Sequence, residues 1–240
     1  MQYISPPNAK TGSYSFDLPA DITCPGATAT CISKCYALKL AKAYPSAGRK
    51  YERNKRFSQM PQFADYMIKH IPYSCTFRIH VSGDFTSNAY IKKWCRIISR
   101  RSDVKFYAYT RSWRQPQWSW LQHLAGYKNM TLNLSCDKET GKPPREDYRW
   151  CYLSTDDTAP NWLRDGDIIF RTNHNGQPGN QQWARKRAIN NGQDPDIIAP
   201  LIHKIGAAKV CPLERGRKLP DQFDCLKCQL CIKNPSSNKD

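Results

Sequence analysis

The chain has 240 residues, 40% of them hydrophobic, which is enough for one large domain with a true core and too many for a disordered segment. No run approaches the roughly 18 apolar residues of a membrane span, and residues 1–10 lack an apolar stretch of signal-peptide type, so a soluble intracellular chain with no membrane partner is expected. Lys and Arg total 37 against 20 acidic residues, a net charge of +17, and such an excess attracts polyanions from a distance.

Residues 13–19 alternate like a short strand and lead into a cysteine-rich loop, 24–35. A basic helix follows over 37–43; Pro45 and Gly48 break it, and a second helix runs over 49–57. Strands are predicted at 75–81, 104–109, 130–134, 150–153 and 167–171, with helices over 88–99 and 116–125. Strands alternating with helices imply parallel pairing through right-handed crossovers. The expected fold is therefore α/β: a partial or irregular (β/α) TIM-like barrel with N- and C-terminal Cys-rich loops, since a closed eight-unit barrel takes about 250 residues. The barrel domain is expected over 1–204, a C-terminal Cys-rich segment over 205–233 and a polar tail over 234–240. Polar residues collect just past the predicted strand ends, where such folds place their sites: Ser82, Asp84, Thr110, Arg111, Cys136, Asp137, Thr172, Asn173 and His174. His80, in the strand before them, reads first as a hydrogen-bonded core histidine.

Eleven cysteines, an odd number with no secretory leader, argue against a disulfide scaffold and for metal ligation. Cys225-x2-Cys228-x2-Cys231, with Cys211 before it, gathers thiolates in the tight steps used by bacterial ferredoxins and points to a [4Fe–4S] cluster. Structural zinc with four Cys is the alternative. Cys24-x6-Cys31-x3-Cys35 is a second set: three thiolates on one loop would hold a cluster and leave one iron open to substrate or S-adenosylmethionine. The chain thus carries one cluster shared between its ends, or two. Cys75, Cys95, Cys136 and Cys151 read as small buried hydrophobes.

These cysteine loops, together with residues 78–85 (Arg-Ile-His-Val-Ser-Gly-Asp-Phe) and 106–112 (Phe-Tyr-Ala-Tyr-Thr-Arg-Ser), resemble the phage "gene product 88" domain family over residues 12–231. That family occurs in phages and mobile elements and looks like a relative of radical S-adenosylmethionine enzymes with their partial barrel. The resemblance implies a bacterial cytoplasm as the setting. It sets Ser82, Gly83 and Asp84 where those enzymes meet the cofactor's amino group, although the longer Cys spacing and Ser82 in place of Gly depart from their pattern.

Basic residues interleave with aromatic ones in four patches, a pattern suited to phosphates and stacked bases. The first holds Lys39, Lys42, Arg49, Lys50, Arg53, Lys55 and Arg56; the second, Lys92, Lys93, Arg96, Arg100 and Arg101. The third is Arg111, Trp113, Arg114 and Trp118; the fourth, Arg185, Lys186 and Arg187. No base-reading motif is present, so RNA or single-stranded DNA is expected in preference to specific duplex DNA. Two function classes follow: an iron–sulfur protein that binds nucleic acid, or a radical S-adenosylmethionine enzyme acting on a nucleic acid or nucleotide.

Overall fold

The computed structural model describes residues 3–7, 11–116, 118–156, 158–171, 209–210 and 231–232. Seven strands form one sheet: β1 (Tyr14–Phe16), β2 (Thr76–Ile79), β3 (Lys105–Thr110), β4 (Met130–Cys136), β5 (Arg149–Ser154), β6 (Ile168–Arg171) and β7 (Lys209–Val210). Each pairs in parallel with the next, in chain order. The sheet is open: among the described residues no pairing joins β7 to β1, and the outer edge of β1 takes an antiparallel bridge between Ser5 and Ser15.

Four helices separate β1 from β2: α1 (Ala29–Lys34), α2 (Tyr36–Ala43), α3 (Pro45–Gln59) and α4 (Phe63–His70). The crossover from β2 to β3 is α5 (Asn88–Arg100); that from β3 to β4 is a 3-10 turn (Ser112–Arg114) and α6 (Trp118–Ala125). The first helix stops at Ala43, before Pro45, as expected, but the next does not wait for residue 49: Pro45 begins α3, which runs through Gly48, because a proline at the first helical position forfeits no hydrogen bond. The cysteine loop holds one helix more than predicted, α1, whose N-cap Thr28 accepts a hydrogen bond from the Cys31 amide at 3.0 Å.

Alternation along the strands sorts the two faces. Phe77, Ile79, Phe106, Ala108, Leu132, Leu134 and Trp150 join one core with Phe63, Met67, Ile91, Trp94, Leu121 and Leu124 from α4, α5 and α6. Trp94 is its hub, with ring contacts to Phe16, Phe63, Phe77, His80 and Tyr90. Each such aromatic side chain stabilises the fold by about 1.5–3 kcal/mol through burial. The intervening positions, Arg78, Tyr107, Tyr109, Thr131, Asn133 and Cys151, belong to the opposite face, free of these helices. The last described residues lie against it: Thr131 Oγ1 donates to the Ile232 carbonyl at 2.6 Å and Asn133 Nδ2 to the Cys231 carbonyl at 3.1 Å.

Candidate cysteine site

Cys24, Cys31 and Cys35 are half-buried and each lies within electrostatic reach of the others. Cys24 sits in the turn after β1, Cys31 in α1, and Cys35 caps α1 and starts α2. The loop reaches this place by close packing that needs glycine. A Cβ on Gly26 would lie 2.1 Å from the Arg111 carbonyl oxygen, and one on Gly83, at φ +86°, would lie 2.6 Å from Leu18 Cβ. The Asp84 amide donates to the Thr23 carbonyl at 3.1 Å, tying the end of β2 to the residue before Cys24.

Two buried carboxylates brace the loop. Asp84 accepts from its neighbour's amide at Phe85 (2.7 Å), from Thr110 Oγ1 (2.7 Å) and from the Arg111 amide (2.9 Å). Burial still pushes its carboxyl above the usual range against those hydrogen bonds. Asp137, wholly buried, accepts from Thr28 Oγ1 at 2.6 Å and from the Arg111 guanidinium, and from the amides of Glu139 (3.0 Å) and Thr140 (2.9 Å). Glu139 then accepts from the first α1 amides, Ala29 (3.2 Å) and Thr30 (2.7 Å), a favourable place for an anion. The ends of β2, β3 and β4 thus hold one cysteine loop through Asp84, Arg111 and Asp137.

Burial, then the Asp84 carboxylate, pushes the Cys24 thiol up to about 12. Burial raises Cys31 too, and the Arg111 guanidinium works against it. Such thiols stay protonated at neutral pH until a cation takes the proton's place, so binding soft metal here would release protons. Among the described residues, no three His, Cys, Asp or Glu side chains close tightly enough for one metal ion.

A second group of thiols occupies the face of the sheet opposite α4, α5 and α6. Cys231 packs with Tyr109 and Phe170 against Cys151 and Ile168, and Cys231 and the Tyr109 hydroxyl are hydrogen-bonded. Burial and the neighbouring Cys231 raise the Cys151 thiol well above its ordinary value. Cys95, Cys136 and Cys151 are buried hydrophobes as expected, Cys95 and Cys136 in the main core and Cys151 in this smaller cluster. Cys211, Cys225 and Cys228 lie outside the described residues; Cys211 follows directly on Val210, which aligns with Ile169.

Ser82 ends the β2 turn with its hydroxyl buried and without a partner among the described residues. His80, at φ +64°, is a core histidine: Nε2 meets the Tyr90 hydroxyl at 2.8 Å, and burial, then Arg78, drives its pKa down to about 3.

The expected basic surface divides. Lys39, Lys42, Arg49, Arg56, Lys92 and Arg114 are exposed. Lys55 is half-exposed, as are Lys50, which donates to Ser5 Oγ at 2.8 Å, and Arg53, whose guanidinium lies 5.7 Å from the Tyr3 ring centre. Arg111 and Trp113 are not surface residues as expected. Arg111 is buried against Asp137, and Trp113 donates from Nε1 to the Ser135 carbonyl at 2.9 Å. Trp118 packs half-buried on the core, and Lys93 caps α3 by donating to the carbonyls of Ser58, Gln59 and Met60 at 2.8–3.0 Å. Arg185, Lys186 and Arg187 lie outside the described residues, as do Thr172, Asn173 and His174.

Comparison with known proteins then gives the family. The sequence model of Gene product 88 matches residues 4–234. The chain belongs to the Gene product 88 family. Within it, the "Gene 88 protein" of Mycobacterium phage D29 is 32% identical over 148 residues, 55% of this chain and 60% of that protein. The "Gene 88 protein" of Mycobacterium phage L5 is likewise 32% identical over 148 residues, covering 55% of this chain and 61% of its own length. The match therefore spans about three fifths of each relative. No solved structure matches. No described helix is long and apolar enough to cross a membrane.

Proposed function

We propose that this member of the Gene product 88 family is an iron–sulfur protein that binds nucleic acid, RNA or single-stranded DNA, beside its N-terminal thiol loop. The observation that carries the reading is the gathering of Cys24, Cys31 and Cys35 at the ends of β2, β3 and β4, followed in the chain by α2 and α3 with the exposed cations Lys39, Lys42, Arg49 and Arg56. The donor set fits: three soft thiols on one braced loop suit a [4Fe–4S] cluster, which needs sulfur ligands spread wider than those of a single ion. Cys231, with Cys211, Cys225 and Cys228, would hold a second cluster or share the first. A bound cluster supplies one-electron chemistry and, at an iron without a protein ligand, a place for a further donor. The chain's own residues do the rest. Asp84, Arg111 and Asp137 fix the loop, Thr28 sets the α1 end, and the α2–α3 cations draw in the phosphates.

The sequential parallel sheet is also the strand order of a (β/α) barrel, and we read it as a partial one. One observation favours the second reading, a radical S-adenosylmethionine enzyme. The Ser82 hydroxyl, beside Gly83 and Asp84, is buried and has no partner among the described residues, at the turn where that superfamily receives the cofactor's amino group.

The test is anaerobic purification with iron and sulfide counts. About eight irons per chain mean two cubanes and about four mean one. A triple Cys24→Ala/Cys31→Ala/Cys35→Ala variant should lose the share bound by the loop. Zinc without sulfide would replace the reading with a zinc-stabilised fold, and metal-free, freely alkylated thiols would end it. Release of 5′-deoxyadenosine from added S-adenosylmethionine by the reduced protein would select the enzyme.

A further inference from the structure

Arg78 is the one charged side chain of β2, and its strand position places it on the face opposite α4, α5 and α6, between β1 and β3. Its guanidinium lies 4.9 Å from the Tyr109 ring centre, a cation–π contact. Nε donates to the His80 carbonyl at 3.2 Å, and the side chain is hydrogen-bonded to the Tyr36 hydroxyl. Tyr36 follows Cys35 directly, and its hydroxyl donates to the Val81 carbonyl at 2.6 Å. Arg78 therefore borders the thiol loop.

A guanidinium has five N–H donors in a planar fork. The contacts named account for two, and among the described residues Arg78 makes no ion pair. The acid that faces it, Asp17, already accepts from the Val81 amide (2.7 Å), Ser5 Oγ (2.9 Å) and Ser15 Oγ (2.8 Å). Asp17 thus offsets the charge of Arg78 without an ion-pair contact among the described residues, and the guanidinium fork matches oxygens held on one phosphorus or carbon atom. Tyr36, Tyr107 and Tyr109 surround it, their hydroxyls engaged with the Val81 carbonyl, Ser13 Oγ (2.9 Å) and Cys231, so the donors offered to a phosphate are those of the guanidinium itself.

We propose that Arg78 is a phosphate-binding subsite on the face opposite α4, α5 and α6, beside the Cys24/Cys31/Cys35 loop, and that it takes the phosphate of a nucleotide or nucleic acid. The source of that phosphate rests on the nucleic-acid reading above; the subsite itself rests on the Arg78 geometry. It would seat one phosphate at a fixed distance from the thiol loop, which exposed lysines cannot do.

Calorimetric titration of the full chain with adenosine 5′-monophosphate, adenosine and inorganic phosphate tests it. The monophosphate should bind at least about ten-fold more tightly than adenosine, the effect expected of hydrogen bonds to a charged group. Arg78→Gln should abolish that preference, and Arg78→Lys, which keeps charge without the fork, should keep only part of it. Equal binding of adenosine and its monophosphate by the unaltered protein, or an unchanged preference in Arg78→Gln, overturns the proposal. Inorganic phosphate binding as tightly as the monophosphate overturns the nucleotide source and leaves a free-phosphate site. Should Arg78→Gln not fold, inorganic phosphate should protect Arg78 of the unaltered protein from a dicarbonyl reagent, as read by peptide mass; absent protection overturns the subsite. A long single-stranded oligonucleotide, titrated separately, reads the α2–α3 surface, so that either reading can fail alone.

Discussion

His80 holds a ring nitrogen against the Tyr90 hydroxyl inside a cage of Phe85, Tyr90 and Trp94, and such a ring stays neutral. Its folded pKa, about 3, lies below the ordinary 6.5. The unfolded chain therefore takes up a proton that the folded chain refuses. The contribution to stability is complete above pH 6.5 and is lost as the pH falls toward 3, by up to about 1.4 kcal/mol per pH unit. Asp84, whose carboxyl is raised from 3.8, acts in the opposite sense within its own range, so the informative quantity is a difference. His80→Asn, a residue that tolerates positive φ, should flatten the fall in urea midpoint between pH 6.5 and 4.5 relative to the unaltered protein. An identical slope in both would mean that His80 is not the group responsible.

Residue chemistry was legible in the sequence where position alone decides it. Asp84, Arg111 and Asp137 follow strand ends, and parallel strands bring such residues together. Arg78 was not legible, because a strand arginine looks the same whether it faces water or a closed interior. Cys136 and Cys151 show the same limit. Both lie in buried strands, yet Cys136 aligns with Tyr152 and Cys151 with Ser135, which sends them to opposite faces. Only the register separates a core thiol from one beside Cys231.

At the scale of elements, basic residues serve helix ends as well as solvent. Lys93 collects three carbonyls at the end of α3, where the helix dipole favours a cation. Arg101, buried, does the same beyond α4, donating to the carbonyls of Ile68 (3.0 Å), Ile71 (2.5 Å) and Pro72 (2.8 Å) while paired with Asp103. Sequence counting assigns both to the surface charge, since nothing in a Lys-Lys or Arg-Arg pair tells which member turns inward. Lys93→Met should lower stability by about 1–2 kcal/mol in urea titration while leaving oligonucleotide affinity unchanged. A loss of affinity with stability intact would return Lys93 to the binding surface. Strands and α5 were readable from alternation and helical periodicity. The short α1 was not, because its cysteines suggest a loop and its cap depends on Asp137, more than a hundred residues away in the chain.

Over the whole molecule the net charge of +17 sets the long-range field, and the exposed part of it is what a polyanion meets. Neutralising phosphates releases counterions, so affinity for single-stranded RNA or DNA should fall by orders of magnitude between about 50 and 200 mM salt. A combined Lys39→Gln/Lys42→Gln/Arg49→Gln/Arg56→Gln variant should show a shallower slope in a filter-binding assay. Affinity that ignores salt, or a variant with the original slope, would remove this surface from the interface.

The hydrogen bonds from Thr131 and Asn133 to residues 232 and 231 have a consequence for how the protein is made. A ribosome adds about 5–20 residues per second, so roughly ten to forty seconds separate the emergence of Cys35 from that of Cys231. For the later half of that interval Tyr109, Thr131 and Asn133 are already outside the tunnel, while Cys231 and Ile232, which finally lie against them, are still to be synthesised. Assembly is therefore ordered in time: the face that carries Tyr109, Thr131 and Asn133 is made first, and Cys231 and Ile232 dock on it last.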